Sequence, residues 1–345
     1  MSLALRVFDR PPPEVRRELP EFLDWLGGPA LFHLPGRDRT RARLLAGGLH
    51  GNEPSGFRAL HALLRDPPPL ATDTLLFLGN VRAACLAPRF THRAVPGEED
   101  MNRVWLGEAA TPLRRVAREV LARLAEWRLE AAVDLHNNSG RNPCYALIPA
   151  GLEPRRAGLA RAWTHNLLVC EGIELGTLIE GLAGRCPAIV VECGQCGCPR
   201  ADEAAGAGAR RWLAADSPFE PDAACETPPC LHRALARVVV PAGVTLAFGD
   251  DGTSGEDGAA DLVVDPALDR LNFTRLEPGT VLARCATERG RLAAADLAGA
   301  DVTGAFLVHE QGEVRVRRAC VPMMITSVAS IAASDCLCYL TEPLG

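Results

Sequence analysis

The chain has 345 residues, 48% of them apolar, and a formal net charge of −6. That length and apolar share exclude a disordered chain and allow a large core split between two domains. The acidic balance argues against a nucleic-acid partner, which calls for a basic face.

Residues 1 to 40 are rich in proline and charge, and "PEVRRELPEFLDWL" predicts a short helix. Arg6, Asp9 and Arg10 come before any apolar stretch, so no signal peptide is expected. No segment reads as a membrane span. The 13 cysteines are irregularly spaced, and a cytoplasmic location with reduced thiols is expected. "RARLLAGGL" reads as a buried strand. Pro54 suits the first turn of a helix that continues through Phe57, Leu60 and Leu64. "TLLFLGN" is a second buried strand, and Pro112 to Trp127 an amphipathic helix. "AAVDLHNN" and "PAIVVECG" are further strands, and a helix follows over "ADEAAGAGARRWLAA". Apolar strands alternating with helices predict an α/β domain with both faces of its sheet covered.

The texture changes after Asp216. "SPFEPDAACETPP" is a Pro-rich connection, and short β-like runs follow: "ARVVVPAGVTLAF", "ADLVV", "GTVLARC", "GAFLVHE" and "EVRVRRACV". "GDDGTSGEDGAA" is expected to be a mobile loop. The expected organisation is a first domain over 1–217 and a smaller all-β domain over 230–345.

Three predicted strands end in groups able to hold a metal or move a proton. These are His50 and Glu53 in "LLAGGLHGNEPSG", His136 in "VDLHNN" and Glu192 in "VVECG". In an open α/β sheet, ligands bind beyond the carboxyl ends of the strands. Two histidines and one carboxylate make a catalytic zinc set with one position left for water. Glu192 is then free to serve as general base. Singly, each residue reads more plainly as a surface or strand-end polar group. Together they point to one edge.

At these residues the chain resembles the succinylglutamate desuccinylase/aspartoacylase family, relatives of the zinc carboxypeptidases. The resemblance runs through "GGLHGNEPSG", "GNVRAACLAPRF", "DMNRVW", "VDLHNNSG" and "VVECGQ", with a fainter match in "LNFTRLEPGTVLAR". It implies a mixed sheet flanked by helices, as in zinc carboxypeptidases, followed by a smaller all-β domain. It implies one zinc per chain held by His50, Glu53 and His136, with Glu192 activating water. Asn102 and Arg103 would bind a substrate carboxylate, the task an arginine fork suits. The implied substrate is a small N-acyl amino acid.

The family also uses an arginine upstream of "DMNR" to polarise the scissile carbonyl. Counting from Asn80 gives Arg89, but "THRAVPGEE" is inserted before Asp100, and Arg93 within it is a rival. Aspartoacylase-like members use a Tyr and an Arg shortly before the base, whereas here the segment before Glu192 has no Tyr and its Arg185 sits at a different offset, so the acyl group and the amino acid stay open. Cys193, Cys196 and Cys198 have no complementary pair at zinc-ribbon spacing and are read as structural thiols. A metallocarboxypeptidase and a non-catalytic binding protein on the same fold are the alternatives. The oligomeric state is not legible.

Overall fold

A computed structural model describes residues 3–149, 151–220, 228–249 and 260–344. The chain divides into two compact units. The first takes Met1–Asn137, Cys144–Leu167 and Glu174–Pro229, and the second takes Asn138–Pro143, Leu168–Ile173 and Cys230–Gly345. The loop expected over "GDDGTSGEDGAA" and the middle of the Pro-rich connection lie outside the described residues.

The first unit is built on a mixed sheet. Its strands are β1 (Arg6–Phe8), β2 (Ala30–Leu34), β3 (Asp38–Gly47), β4 (Thr72–Leu78), β5 (Leu129–Asn138), β6 (Tyr145–Pro149) and β8 (Ala188–Gln195), while β7 (Asn166–Cys170) falls mostly in the second unit. They lie in the order β1-β2-β4-β3-β5-β8-β6. The helices are α1 (Leu19–Leu26), α2 (Pro54–Arg65), α3 (Val81–Cys85), α4 (Pro112–Ala125), α5 (Pro154–Arg161), α6 (Leu178–Gly181) and α7 (Pro199–Ala214). β3 is parallel to both β4 and β5, whereas β2 is antiparallel to β4 and β6 to β8. Parallel neighbours need a crossover, which α2 supplies between β3 and β4, and α4 lies on the longer connection that carries the chain from β4 to β5 on the other side of β3.

Every residue of β4 and β5 is buried because helices cover both faces. Leu44, Leu75, Phe77 and Ala132 pack with Val116, Val120 and Leu124 of α4 in one cluster. The alternate residues Leu45 and Leu76 project to the other face. There α2 and α7 lie against each other, α2 also against β3, and α7 against β8.

The helix expected over "PEVRRELPEFLDWL" is two pieces, a 3-10 turn at Pro13–Arg16 and then α1. Pro20 has no N–H to give to the carbonyl of residue 16, and its ring would clash there. The backbone is therefore extended at Arg17 and Glu18 before α1 begins. The strands β1, β2, β6 and β7 have no counterpart in the elements read from sequence.

Arg43 of β3 is wholly buried. Its Nε donates to Glu130 Oε2 at 2.9 Å, and its two terminal nitrogens donate to the carbonyls of Trp212 and Asp216. Removing one member of a buried pair strands the rest, so Arg43→Met should lower stability by about 3 kcal/mol. Urea unfolding of the two proteins measures this, and a loss below about 1 kcal/mol would show that Arg41 alone satisfies Glu130.

The second unit is rich in β structure. β9 (Cys230–Val239), β10 (Leu246–Phe248), β11 (Leu262–Val264), β12 (Val281–Cys285), β13 (Ala293–Asp296), β14 (Leu307–Glu310), β15 (Glu313–Val316), β16 (Val321–Met323) and β17 (Cys338–Pro343) make it up, with short helices α8 (Thr303–Phe306) and α9 (Ala329–Ser334). β9, β17 and β16 are neighbours, β13 pairs with β9, and a five-stranded sheet runs β10-β11-β12-β15-β14. Val238, Leu262, Val264, Leu282, Val314, Val316 and Leu340 share its core. The single strand suggested by "ARVVVPAGVTLAF" is split into β9 and β10, because Pro241 cannot donate to a ladder. The mixed α/β unit followed by a β-rich C-terminal part is the architecture that the sequence predicts.

Candidate metal centre

His50 lies in the turn between β3 and α2, and Glu53 stands one residue before the helix, at its N-cap. The turn is tight for a steric reason. Gly48 has φ +69°, and a Cβ there would fall 2.3 Å from the ring of Phe57. One residue earlier, a Cβ on Gly47 would sit 3.0 Å from the Cα of Gly56, so strand and helix backbones touch. Pro54 opens α2, where its missing N–H is no loss. Asn137 at the end of β5 ties the same helix start to the sheet. Its Oδ1 accepts from the Ser55 N–H at 3.1 Å, and its Nδ2 donates to Ser55 Oγ and to the Gly194 carbonyl.

Three side chains converge here. His50 Nδ1 lies 2.7 Å from Glu53 Oε1, and His136 Nδ1 lies 2.7 Å from Glu53 Oε2. The ligand atoms of His50, Glu53 and His136 all fall within 4.8 Å of one another, and all three residues are buried. Each imidazole is backed on its far nitrogen by a second carboxylate. Asp134 Oδ2 is 2.9 Å from His136 Nε2, and Asp100 Oδ1 is 3.1 Å from His50 Nε2. A metal-ligating histidine characteristically gives its other N–H to a carboxylate, which fixes its tautomer. Both Nδ1 atoms here face the same carboxylate, so the group fits a divalent cation, and His50, Glu53 and His136 could hold one.

Electrostatics support the same grouping. Burial alone would raise the Glu53 carboxyl, but the charges of His50 and His136 hold it well below the ordinary range. Burial likewise opposes a charge on His136, but Asp134 and Glu53 push it well above the usual imidazole value. Asp100 is also raised by burial, yet His50, Arg93 and Arg103 hold it far below the ordinary carboxylate range.

Glu192 of β8 is buried among these groups and feels the charges of His136, Glu53 and His50. Burial pushes its carboxyl up to about 7, opposed by His136 and assisted by Glu53. A carboxyl poised near neutrality can both take and return a proton. Tyr145 of β6 is its partner across the antiparallel pair, on the same face of the sheet.

The two candidate arginines separate. Arg89 Nη2 donates to Asp24 Oδ2 of α1 at 2.6 Å, in a pair that is half exposed. Arg93 Nε donates to Asp100 Oδ2 at 2.8 Å, and its carbonyl accepts from the Gly51 N–H of the His50 turn. The structure thus brings Arg93, not Arg89, to the Asp100–His50 network. The count from Asn80 misses this because it takes no account of how the inserted residues fold back. Asn102 is buried, with Nδ2 3.3 Å from His136 Nε2 and Oδ1 accepting from the Leu178 N–H. With the His136 Nε2 proton given to Asp134, the Asn102 amide nitrogen only packs against that ring, and the side chain's firm bond is the one to Leu178. Arg103 Nη1 donates to the Asn102 carbonyl at 2.9 Å.

Sequence reasoning gave no role to Asn137, and none to Asp100 as a partner of His50. The amides that follow His136 directly, at the end of a fully buried strand, are the available signal for Asn137. The described cysteines are unpaired. Cys196 Sγ donates to the Asn52 carbonyl at 3.3 Å, and Cys193 is buried. Among the described residues, neither they nor Cys198 join a metal-binding group.

Fold and site together define an α/β protein with a two-histidine, one-carboxylate centre at the carboxyl edge of its sheet. Residues 39–205 match the succinylglutamate desuccinylase/aspartoacylase catalytic domain. Over these residues, just under half of the chain, it is similar to that family. Among curated proteins it is 27% identical over 209 residues to the succinylglutamate desuccinylase of Yersinia pestis strain Pestoides F, a match over 54% of this chain and 61% of that protein. The chain thus spans less than two thirds of the length of the curated relatives it matches. Among solved structures it is similar to a succinylglutamate desuccinylase/aspartoacylase from Rhodobacter sphaeroides, with a TM-score of 0.61, 15% identity, and coverage of 90% of this chain and 88% of the other. The product-bound ectoine utilization protein EutE (DoeB) from Ruegeria pomeroyi gives a TM-score of 0.56 and 18% identity, covering 90% of this chain and 88% of the other. At such identities the likeness is one of fold. Among the described residues, no helix is long and apolar enough to cross a membrane.

Proposed function

We propose that this chain is a zinc-dependent hydrolase that cleaves the amide bond of a small N-acyl amino acid. The observation that carries the proposal is Glu53 held between the Nδ1 atoms of His50 and His136, with Glu192 buried beside them. Zinc bound by His50, Glu53 and His136 would supply Lewis acidity toward water and the scissile carbonyl. Glu192 takes the proton of the attacking water and delivers it to the departing amine nitrogen. Arg93, fixed by Asp100, donates to the carbonyl oxygen as it gains negative charge. Arg103 receives a carboxylate of the substrate, and the Asn102 carbonyl keeps that arginine in place. Asp134 and Asp100 orient the two imidazoles. Burial of these groups favours a small substrate, and the relatives' name makes N-succinylglutamate the first to try.

The test is a panel of N-succinyl, N-acetyl and other N-acyl amino acids beside dipeptides, assayed for amine release with zinc-loaded protein. Release from an N-acyl amino acid is expected. Release from dipeptides alone would make the chain a carboxypeptidase, and no release from either would make it a binding protein. The choice of arginine is tested separately. Arg93→Met should lower kcat by about 100-fold, whereas Arg89→Met should stay within about twofold of wild type. The reverse order would restore Arg89.

A further inference from the structure

The first unit carries a second cluster of charge, at the opposite end of the strands that bear the metal centre. A cleft of about 180 Å³ is lined by Arg41, Arg128, Glu130, Arg155, Arg185 and Cys186, among others. It lies where β3, β5 and β8 begin. From Leu129 to His136 along β5 is seven residues, so the cleft stands about 23 Å from the histidines.

The charges in the cleft do not balance. Glu130 is already shared by Arg41 and the wholly buried Arg43, and Asp38 takes a second side of the Arg41 fork, so Arg41 is spoken for. Among the described residues, Arg128, Arg155 and Arg185 have no carboxylate partner. All three are exposed at the cleft. Two of them are nevertheless held in place. Arg185 Nη1 donates to the Leu121 carbonyl at 2.8 Å, and the Arg155 guanidinium stacks 4.4 Å from the centre of the Phe219 ring. Each hold leaves most of the N–H groups of the fork available. The nearby Glu153 carboxylate is taken up by the backbone N–H groups of Arg155 and Arg156 at the start of α5. Cys186 also registers the convergence: burial pushes its thiol up to about 12, against the charges of Arg155, Arg185 and Arg156. Like charges repel, so gathering them in a concave site is unfavourable without an anion. In a chain with a net charge of −6 the local excess is the more pronounced.

We infer that Arg128, Arg155 and Arg185, lining this cleft, bind a small polyanion carrying phosphate or several carboxylates, at a site separate from the metal centre. Arginine forks hold such oxyanions through paired N–H···O bonds.

Calorimetric titration of the whole protein with inorganic phosphate and with tricarballylate tests this. The measurement is made at about 0.15 M salt, where exposed charges are screened beyond roughly 8 Å. Saturable binding of one of the two with a dissociation constant below about 1 mM is expected. Arg128→Gln and Arg155→Gln should each weaken it by about tenfold or more. Both side chains are exposed, and circular dichroism checks that each variant is folded. His50→Ala should bind the anion as wild type does, which separates this cleft from anion capture at the metal. Phosphate binding that disappears in His50→Ala and survives in Arg128→Gln would overturn the inference, as would the absence of binding by either probe. Because the readout is binding, it is independent of whether the chain hydrolyses N-acyl amino acids.

Discussion

Glutamine at position 192 should leave the metal bound and lower kcat by about 1,000-fold, the loss expected when a general base is removed. The substitution keeps the shape of the side chain. It also exchanges an ionisable group in a buried position for a neutral one, so the fold should be retained. The decisive comparison is metal content beside turnover in the same preparation. Loss of turnover with metal retained assigns the proton transfer to Glu192. Loss of both would mean that Glu192 belongs to the cation's surroundings. Unchanged turnover would remove the residue from the mechanism.

Alanine at position 50 should do the opposite and empty the centre. Of the three ligand groups, His50 contributes one imidazole, and Glu53 would lose the partner at 2.7 Å that helps fix its carboxylate. Two remaining ligands make a weak site, because a catalytic zinc set needs three protein groups. Elemental analysis of protein purified without added metal should find zinc in wild type and only background in His50→Ala. Thermal unfolding adds an independent reading. A bound ion stabilises the native state by an amount that grows with the logarithm of its free concentration over its dissociation constant. Added zinc should therefore raise the wild-type midpoint and leave that of the variant where it was. Equal zinc content in the two proteins would place the cation elsewhere.

Much of this centre is legible in the sequence because its members end apolar runs. His50, Glu53, His136 and Glu192 each follow several buried residues, and a polar group at the carboxyl end of a covered strand has few other places to point. Chain order also helps, since β3, β5 and β8 are neighbours in the sheet. What the sequence leaves out is pairing across space. That Asp100 backs His50, fifty residues away, depends on how the "THRAVPGEE" insertion folds. The choice between Arg93 and Arg89 depends on the same loop. β2 escaped notice because "ALFHL" is short and its proline and glycine flanks read as loop. β6 and β7 are five residues each and lack the long apolar signal of β4.

The contact between Gly47 and Gly56 has a consequence for any saturation scan of the segment from 47 to 56. Substitutions at the glycines would register as intolerant because two backbones have no room between them. Substitutions at His50 and Glu53 would register as intolerant because their donor atoms are needed. The two kinds of failure look alike in a growth or activity score, yet only the first should also lower soluble yield when metal is withheld and no protein gains stability from zinc. A map of constraint over this stretch is therefore a superposition of a geometric demand and a chemical one. Expression level, measured beside function, resolves it into its parts.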